Sequence, residues 1–311
     1  MHVAVAHYPE GAGHATRMLA VARELEVRGA AVSLAGGGPG ARFIDLLGYE
    51  AHVPTAVDFI GDYQGDGGLA RTLTRSVPAS AKRAFDFYRW LRREDPDCLV
   101  TDDMFAAMAA PLAGVPLYVC THNAPGLYDD VVERAGAGLL TAYQVAAAET
   151  FFFPTVWPSA AADPPSVDRV GPLALDADAP VVGDPDVVVV PSTYSTALEP
   201  SVEALREAGR EVTVVGGDGW EPVASLLPTL RAASLVVCPG YSTAMEAAVA
   251  GTPCLLYPFT SEQRGVARLA SRATGFRTVT SPAAVARAAA DPPDPPVYEN
   301  GASRVAAAVL S

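Results

Sequence analysis

The stretch that decides the fold is Leu235-Val236-Val237-Cys238-Pro239-Gly240-Tyr241-Ser242-Thr243-Ala244-Met245-Glu246-Ala247. Leu235 to Cys238 is a short, unbroken apolar run, the pattern of a parallel strand buried on both faces. Pro239 and Gly240 end it, and Thr243 to Ala250 reads as an Ala-rich helix. A strand, a glycine turn and a helix make one repeat of an α/β sheet. The free N–H groups of the helix start offer themselves to an anion.

Working outward, similar Val/Leu-rich runs alternate with helical stretches along the whole chain. In the second half, strands are expected at Val187 to Val190, Val212 to Val215 and Cys254 to Leu256, with helices at Glu199 to Ala208 and Leu226 to Ala233. In the first half they are expected at Val3 to Ala6, Val32 to Ala35, Cys98 to Thr101, Leu117 to Cys120 and Phe151 to Phe153. A non-periodic Pro/Ala/Asp-rich passage from Phe153 to about Asp184 reads as a linker. The expectation is therefore two Rossmann-like domains, residues 1–175 and 176–290, facing across a cleft with ligands at the carboxyl ends of the strands. Residues 291–311 would form a Pro-rich strap (Asp291 to Pro296) and a terminal helix, Ser303 to Leu310.

The composition narrows the partners. The chain has 311 residues, half of them hydrophobic, so it can bury a core. Its 35 acids against 22 bases give a net charge of −13, and Lys82 is the single lysine beside 21 arginines. An acidic, Lys-poor surface resembles that of proteins from a salt-rich cytoplasm, and it argues against nucleic acid as partner, since that affinity comes from cations neutralising phosphates. Cys98, Cys120, Cys238 and Cys254 lie apart in apolar surroundings and read as reduced core residues, with no metal site implied. The longest uncharged stretch, Met104 to Thr121, is interrupted by Pro111, Gly114 and Pro116 and reads as helix, turn and strand. With a strand-like Val3 to Ala6 in place of an export signal, a cytoplasmic protein is expected.

After the first strand comes His7-Tyr8-Pro9-Glu10-Gly11-Ala12-Gly13-His14-Ala15-Thr16-Arg17, then a helix. Gly11 and Gly13 permit close backbone approach at the helix start. An imidazole there, His14, is suited to act as a general base near neutral pH, though a histidine that merely caps or fills is an equally ordinary occupant. Asp102, at the end of the strand Cys98 to Thr101, is the candidate to hold the His14 tautomer. Its ordinary alternative is to cap the helix beginning at Met104, which Asp103 can also do. All five histidines, His2, His7, His14, His52 and His122, fall in the first half, so a histidine base is expected from the N-terminal domain.

From Trp220-Glu221-Pro222 through Gly240 to Glu246, then Gly251-Thr252-Pro253, Tyr257-Pro258-Phe259 and Glu262-Gln263, the sequence resembles the nucleotide-sugar signature of GT-B glycosyltransferases. These are the superfamily of the UDP-sugar transferases and of the lipid-II-forming N-acetylglucosaminyltransferase. The match from Trp220 to Gln263 has no gap over 44 residues, and Gly11-x-Gly13-His14-x-x-Arg17 with Val100-Thr101-Asp102 resembles the same superfamily. The resemblance implies that Gly240, Tyr241, Ser242 and Thr243 hold a diphosphate, Glu246 the ribose, Trp220 the uracil, and Glu262 with Gln263, on a loop, the hydroxyls of the donor sugar. Three positions depart from the plant pattern: Cys238 for a diphosphate-binding His, Val223 for a Gln and Ser242 for an Asn. Arg17 is a candidate to supply phosphate charge, or simply a solvated helix residue.

Between Leu69 and Arg93 seven bases (Arg71, Arg75, Lys82, Arg83, Arg89, Arg92, Arg93) face the single acid Asp86, interleaved with Phe85, Phe87, Tyr88 and Trp90. A basic, aromatic helix from about Ala79 suits peripheral contact with an anionic lipid surface or lipid-phosphate acceptor; packing on the sheet through its aromatics is the plainer alternative.

Together these features lead to an expected inverting, metal-independent hexosyltransferase that moves a sugar from a UDP-sugar, its co-substrate, to an acceptor hydroxyl, in which a lipid-linked acceptor is one option. The alternatives are a non-catalytic nucleotide-sugar sensor or subunit, and an epimerase or hydrolase on the same fold. An epimerase or hydrolase would need acid/base residues in the second half, which holds no histidine.

Overall fold

The computed structural model describes residues 1–57, 77–158, 163, 164, 166–191, 198–216 and 221–311. Trp220, Arg71 and Arg75 lie outside the described residues. The chain divides into two compact units: Met1–Thr121 with Tyr143–Phe152 and Val305–Ser311, and His122–Ala142 with Phe153–Arg304. The expected boundary near residue 175 contrasts with this interleaved division.

The first unit is built on parallel strands β1 (His2–Ala6), β2 (Ala31–Ala35), β3 (Ala51–His52), β4 (Cys98–Thr101), β5 (Leu117–Cys120) and β6 (Thr150–Pro154). Their order is β3-β2-β1-β4-β5-β6. Val3 to Ala6 and Cys98 to Val100 are fully buried because helices cover both faces: α1 (Ala12–Val27), α2 (Ala41–Leu46), α3 (Val77–Glu94), α4 (Met104–Ala113) and the last turns of α5 (Val131–Ala147). The chain leaves β1 to build one side of the sheet and resumes at β4 on the other, with Val3 paired to both Val32 and Cys98. The crevice at this reversal lies at the carboxyl ends of β1 and β4, where an open α/β sheet accepts its ligand. Both the loop that carries His14 and the Asp102-Asp103 pair begin there.

The second unit carries β7 (Asp168–Val170), whose Val170 carbonyl accepts from Thr155 N–H, and a five-stranded sheet. That sheet comprises β8 (Val187–Val189), β9 (Val212–Val214), β10 (Leu235–Cys238), β11 (Cys254–Leu256) and β12 (Phe276–Thr278). Its order is β12-β11-β10-β8-β9, so the reversal falls between β8 and β10, and the carboxyl end of β10 runs straight into Pro239-Gly240. Helices α6 (Glu199–Glu207), α7 (Leu227–Ala232), α8 (Tyr241–Ala250), α9 (Ser261–Ala270) and α10 (Pro282–Ala290) belong to this unit, and α11 (Ala302–Val309) passes back into the first at Val305. Val187, Val189, Leu235, Val237 and Leu255 line one face of the sheet, against Leu198, Val202 and Leu205 of the α6 region and Val285 and Ala289 of α10.

Helix α3 carries the part of the patch from Lys82 to Arg93. Among its apolar side chains Phe87, Trp90 and Leu91 point inward and are buried, whereas Phe85 is exposed. Arg83 is a correction to the picture of an open basic face. It is fully buried, its Nη2 and Nε donating to Asp103 Oδ2 at 2.6 and 3.0 Å and its Nη1 to the Thr55 carbonyl at 2.9 Å. Lys82, Arg89, Arg92 and Arg93 remain on the surface. All four cysteines are reduced and buried. Among the described residues no helix is long and apolar enough to cross a membrane.

Candidate active site

Helix α1 starts at Ala12 after Gly11, which adopts a left-handed φ of 72° open to glycine at little cost. His14 is in the first turn and Arg17 one turn on, at the i, i+3 spacing that places both on one helix face. They meet Asp102. His14 Nδ1 is 2.8 Å from Asp102 Oδ2, Arg17 Nη2 donates to the same oxygen, and the Tyr8 amide donates to Oδ1 at 2.9 Å. An ionised carboxylate only accepts, so His14 carries its proton on Nδ1 and presents Nε2 as the basic atom. The Arg17 guanidinium also lies 3.0 Å from His14 Nδ1, two donors converging on one oxygen.

Arg17 is 3% exposed, so neither a solvated helix residue nor an open phosphate ligand describes it; it is an internal partner of Asp102. Burial alone pushes the Asp102 carboxyl up, but the neighbouring His14 and Arg17 charges and the hydrogen bonds from His14 and Tyr8 hold it well below the usual carboxylate range. It is therefore an anion at any ordinary pH. Asp103 has the capping role: its Oδ1 accepts from Phe105 and Ala106 N–H at 2.7 and 3.1 Å, which leaves Asp102 to His14.

Two side chains around this cluster were not anticipated. The Tyr8 ring meets His14 edge-on at 5.5 Å, and burial, then Glu10 beside its hydroxyl, raises its pKa so that the phenol stays protonated. His7 is buried with Nδ1 3.0 Å from the Tyr8 carbonyl, and burial holds it below the ordinary imidazole range. Gly36 packs flat against that ring, where any Cβ would overlap it. The run Gly36-Gly37-Gly38 after β2 was the available sequence signal for such a close approach.

In the second unit, β10 ends at Cys238 and α8 begins at Tyr241 with Gly240 as N-cap, so no side chain of the N-cap fills its first turn. Ser242 and Thr243 are half-buried in that turn, and Glu246 is buried one turn further on. Tyr241 is also buried, its hydroxyl donating to the Pro154 carbonyl at 2.7 Å, so its side chain braces the turn from within.

Glu262 and Gln263 are not on a loop. They occupy the first turn of α9, whose N-cap Thr260 forms a capping box with Gln263. Thr260 Oγ1 accepts from Gln263 N–H at 3.3 Å, and Gln263 Oε1 accepts from the amides of Phe259 and Thr260 at 2.8 and 3.1 Å. The Gln263 amide nitrogen then points toward Gly240, 3.6 Å from where a Cβ would stand. Gly240 and Gln263 are thus brought together, the starts of α8 and α9 meeting at one place.

Glu262 Oε1 lies 3.0 Å from His122 Nε2. The second half of the chain holds no histidine, as the sequence shows, but the second unit does, because residues 122–142 belong to it. The segment is fastened to α9 along its length. Ser261 Oγ donates to Glu133 at 2.5 Å; Arg268 donates to Asp129 at 2.7 Å and to the Gly126 carbonyl at 2.8 Å. A Cβ on Gly265 would overlap the Leu127 carbonyl, so the glycine is what permits the approach. Among the described residues no cluster of His, Cys, Asp and Glu is arranged to hold a metal ion.

No family model matches the chain. An uncharacterized glycosyltransferase of Methanosarcina mazei is 22% identical over 303 residues, covering 80% of this chain and 77% of that protein. The solved structure of the Streptomyces sp. SF2575 glycosyltransferase SsfS6 complexed with thymidine diphosphate has a TM-score of 0.70 at 16% identity, with both chains covered in full. Acinetobacter baumannii MurG has a TM-score of 0.61 at 16% identity, over 99% of each chain. The chain therefore has the GT-B fold, with two Rossmann-like units.

Proposed function

We propose that this chain is a glycosyltransferase that moves a sugar from a UDP-sugar to an acceptor hydroxyl with inversion at the anomeric carbon. The observation that carries the reading is the Asp102 carboxylate 2.8 Å from His14 Nδ1, which fixes the tautomer whose Nε2 accepts a proton. Support also comes from the Methanosarcina mazei relative, and the thymidine diphosphate in SsfS6 brings TDP-sugars into the donor range to be tested.

In this reading His14 Nε2 takes the proton of the acceptor hydroxyl as its oxygen bonds to the anomeric carbon. The bond from that carbon to the diphosphate breaks, and the electron pair leaves on the phosphate oxygen. The imidazolium that forms is stabilised by Asp102, while Tyr8 N–H and Arg17 keep Asp102 from turning away. The departing charge is met by the first-turn amides of α8 and the hydroxyls of Ser242 and Thr243. This arrangement needs no divalent cation at the diphosphate. Glu246 is assigned to the ribose, Glu262 to the donor sugar, and the Gln263 amide nitrogen is free of the capping box to join it.

The test is incubation with UDP-glucose, UDP-N-acetylglucosamine and TDP-glucose, with and without a panel of acceptor alcohols, following release of the nucleoside diphosphate. Release that depends on acceptor, with an inverted anomeric centre in the product's NMR spectrum, is the expected result. Release with water alone would make the protein a hydrolase, and binding without turnover a sensor.

A further inference from the structure

His122 stands in a loop of the first half of the chain, yet two contacts tie it to the second unit. Its Nε2 is 3.0 Å from Glu262 Oε1; because a carboxylate only accepts, Nε2 carries the hydrogen. Its ring lies flat on Tyr241, centroids 3.7 Å apart and planes 10° from parallel. Tyr241 is itself fixed, by its hydroxyl on the Pro154 carbonyl at 2.7 Å and by Trp157 edge-on at 6.4 Å. The imidazole therefore has one orientation, with its N–H aimed at the first turn of α9.

Glu262, by contrast, is on the outer side of that turn with a side chain 31% exposed, against 12% for His122. An unrestrained glutamate there would sample several rotamers and lose that freedom on binding. The His122 hydrogen bond removes the freedom beforehand and occupies one carboxylate oxygen, leaving the other for a ligand.

We infer that His122 is a positioning residue for the donor: braced by Tyr241, it holds Glu262 in the one rotamer that receives the hydroxyls of the transferred sugar. This rests on the assignment of Glu262 to the sugar made under the proposed function. The imidazole is not asked to move a proton. It selects sugar nucleotide over bare nucleotide.

Calorimetric titration with UDP, UDP-glucose, UDP-N-acetylglucosamine and TDP-glucose tests it, the readout being the affinity for each sugar nucleotide relative to UDP. His122→Phe keeps a ring to stack on Tyr241 and loses the N–H, so it is expected to weaken the sugar nucleotide about tenfold while UDP affinity stays within about twofold. His122→Gln, which restores an N–H at similar reach, is expected to recover part of the loss. In the double variant with Glu262→Gln the two losses should fall short of additive. A thermal melt of His122→Phe within a few degrees of the wild type excludes simple misfolding.

If Glu262→Gln weakens the sugar nucleotide selectively and His122→Phe does not, the inference fails alone. If Glu262→Gln leaves the ratio unchanged, the sugar assignment fails and takes the inference with it. Equal weakening of UDP and sugar nucleotide in His122→Phe makes the residue a structural support of α8, and also overturns it.

Discussion

The two sheets reverse their strand order in the same way, yet what stands at the two reversals differs in kind. At the carboxyl ends of β1 and β4, buried charged side chains interlock: Asp102 receives His14, Arg17 and the Tyr8 amide. At the end of β10 there is a glycine, two small hydroxyls and a helix start. The first arrangement fixes a proton on one nitrogen and leaves another nitrogen basic. The second offers dipoles to an anion and commits to no protonation state. In the proposed reading one topology thus serves proton transfer at one turn and charge release at the other, and the side chains at each turn decide which.

The comparison breaks most visibly at His14. His14→Ala should lower transfer by about 10³-fold or more while leaving the affinity for UDP within about twofold, read from steady-state rates and calorimetry. Unchanged turnover in that variant would remove the proton-transfer half of the contrast.

Asp102→Asn comes next, with an expected loss of about 10²- to 10³-fold in kcat. It leaves the buried Arg17 uncompensated, so it should also destabilise the fold by about 3–5 kcal/mol, as breaking a buried pair does. Because the folded state holds the Asp102 carboxyl below its ordinary value, its stabilisation is full above the unfolded pKa of about 3.9 and is lost as pH falls towards the folded value. Denaturation curves from pH 7 down to pH 3 should therefore lose less stability in Asp102→Asn than in the wild type.

On the other side of the comparison, Glu246→Ala should weaken UDP binding about tenfold, with little effect on kcat at saturating donor. The smallest expected effect is none: a chelator should leave the transfer rate within about twofold, because α8 is assigned the diphosphate charge. A rate abolished by chelation and restored by magnesium would put a cation where the helix start has been placed.

The sequence made the framework legible where short apolar runs stood between glycine turns, as at Val3 to Ala6 and Leu235 to Cys238. It was less informative for β7 and β12, three-residue strands whose Asp168, Arg169 and Arg277 hide the apolar pattern. Helix α9 was missed because Gly265 sits at its centre, although Thr260-x-x-Gln263 is the spacing of a capping box and marks its start. His14 and Asp102 were legible as candidates because each follows a strand. The spacing of Arg17 to His14 was readable, but a phosphate ligand and a solvated helix residue were the two roles it suggested, and neither is that of a buried partner of Asp102. His122 was out of reach: nothing local in Thr121-His122-Asn123 says that the loop leaves one unit for another 140 residues away in sequence.

That excursion has a consequence for anyone wishing to recombine such enzymes. The chain passes from the first unit to the second at His122, back at Tyr143 within a single helix, over again at Phe153, and home at Val305. A cut near residue 175 would yield a C-terminal fragment stripped of His122 and of the Leu127 support under Gly265, and an N-terminal fragment without its closing helical turns. Exchange of the second unit between relatives therefore calls for transplanting 122–142 together with 153–304, two pieces of sequence for one module.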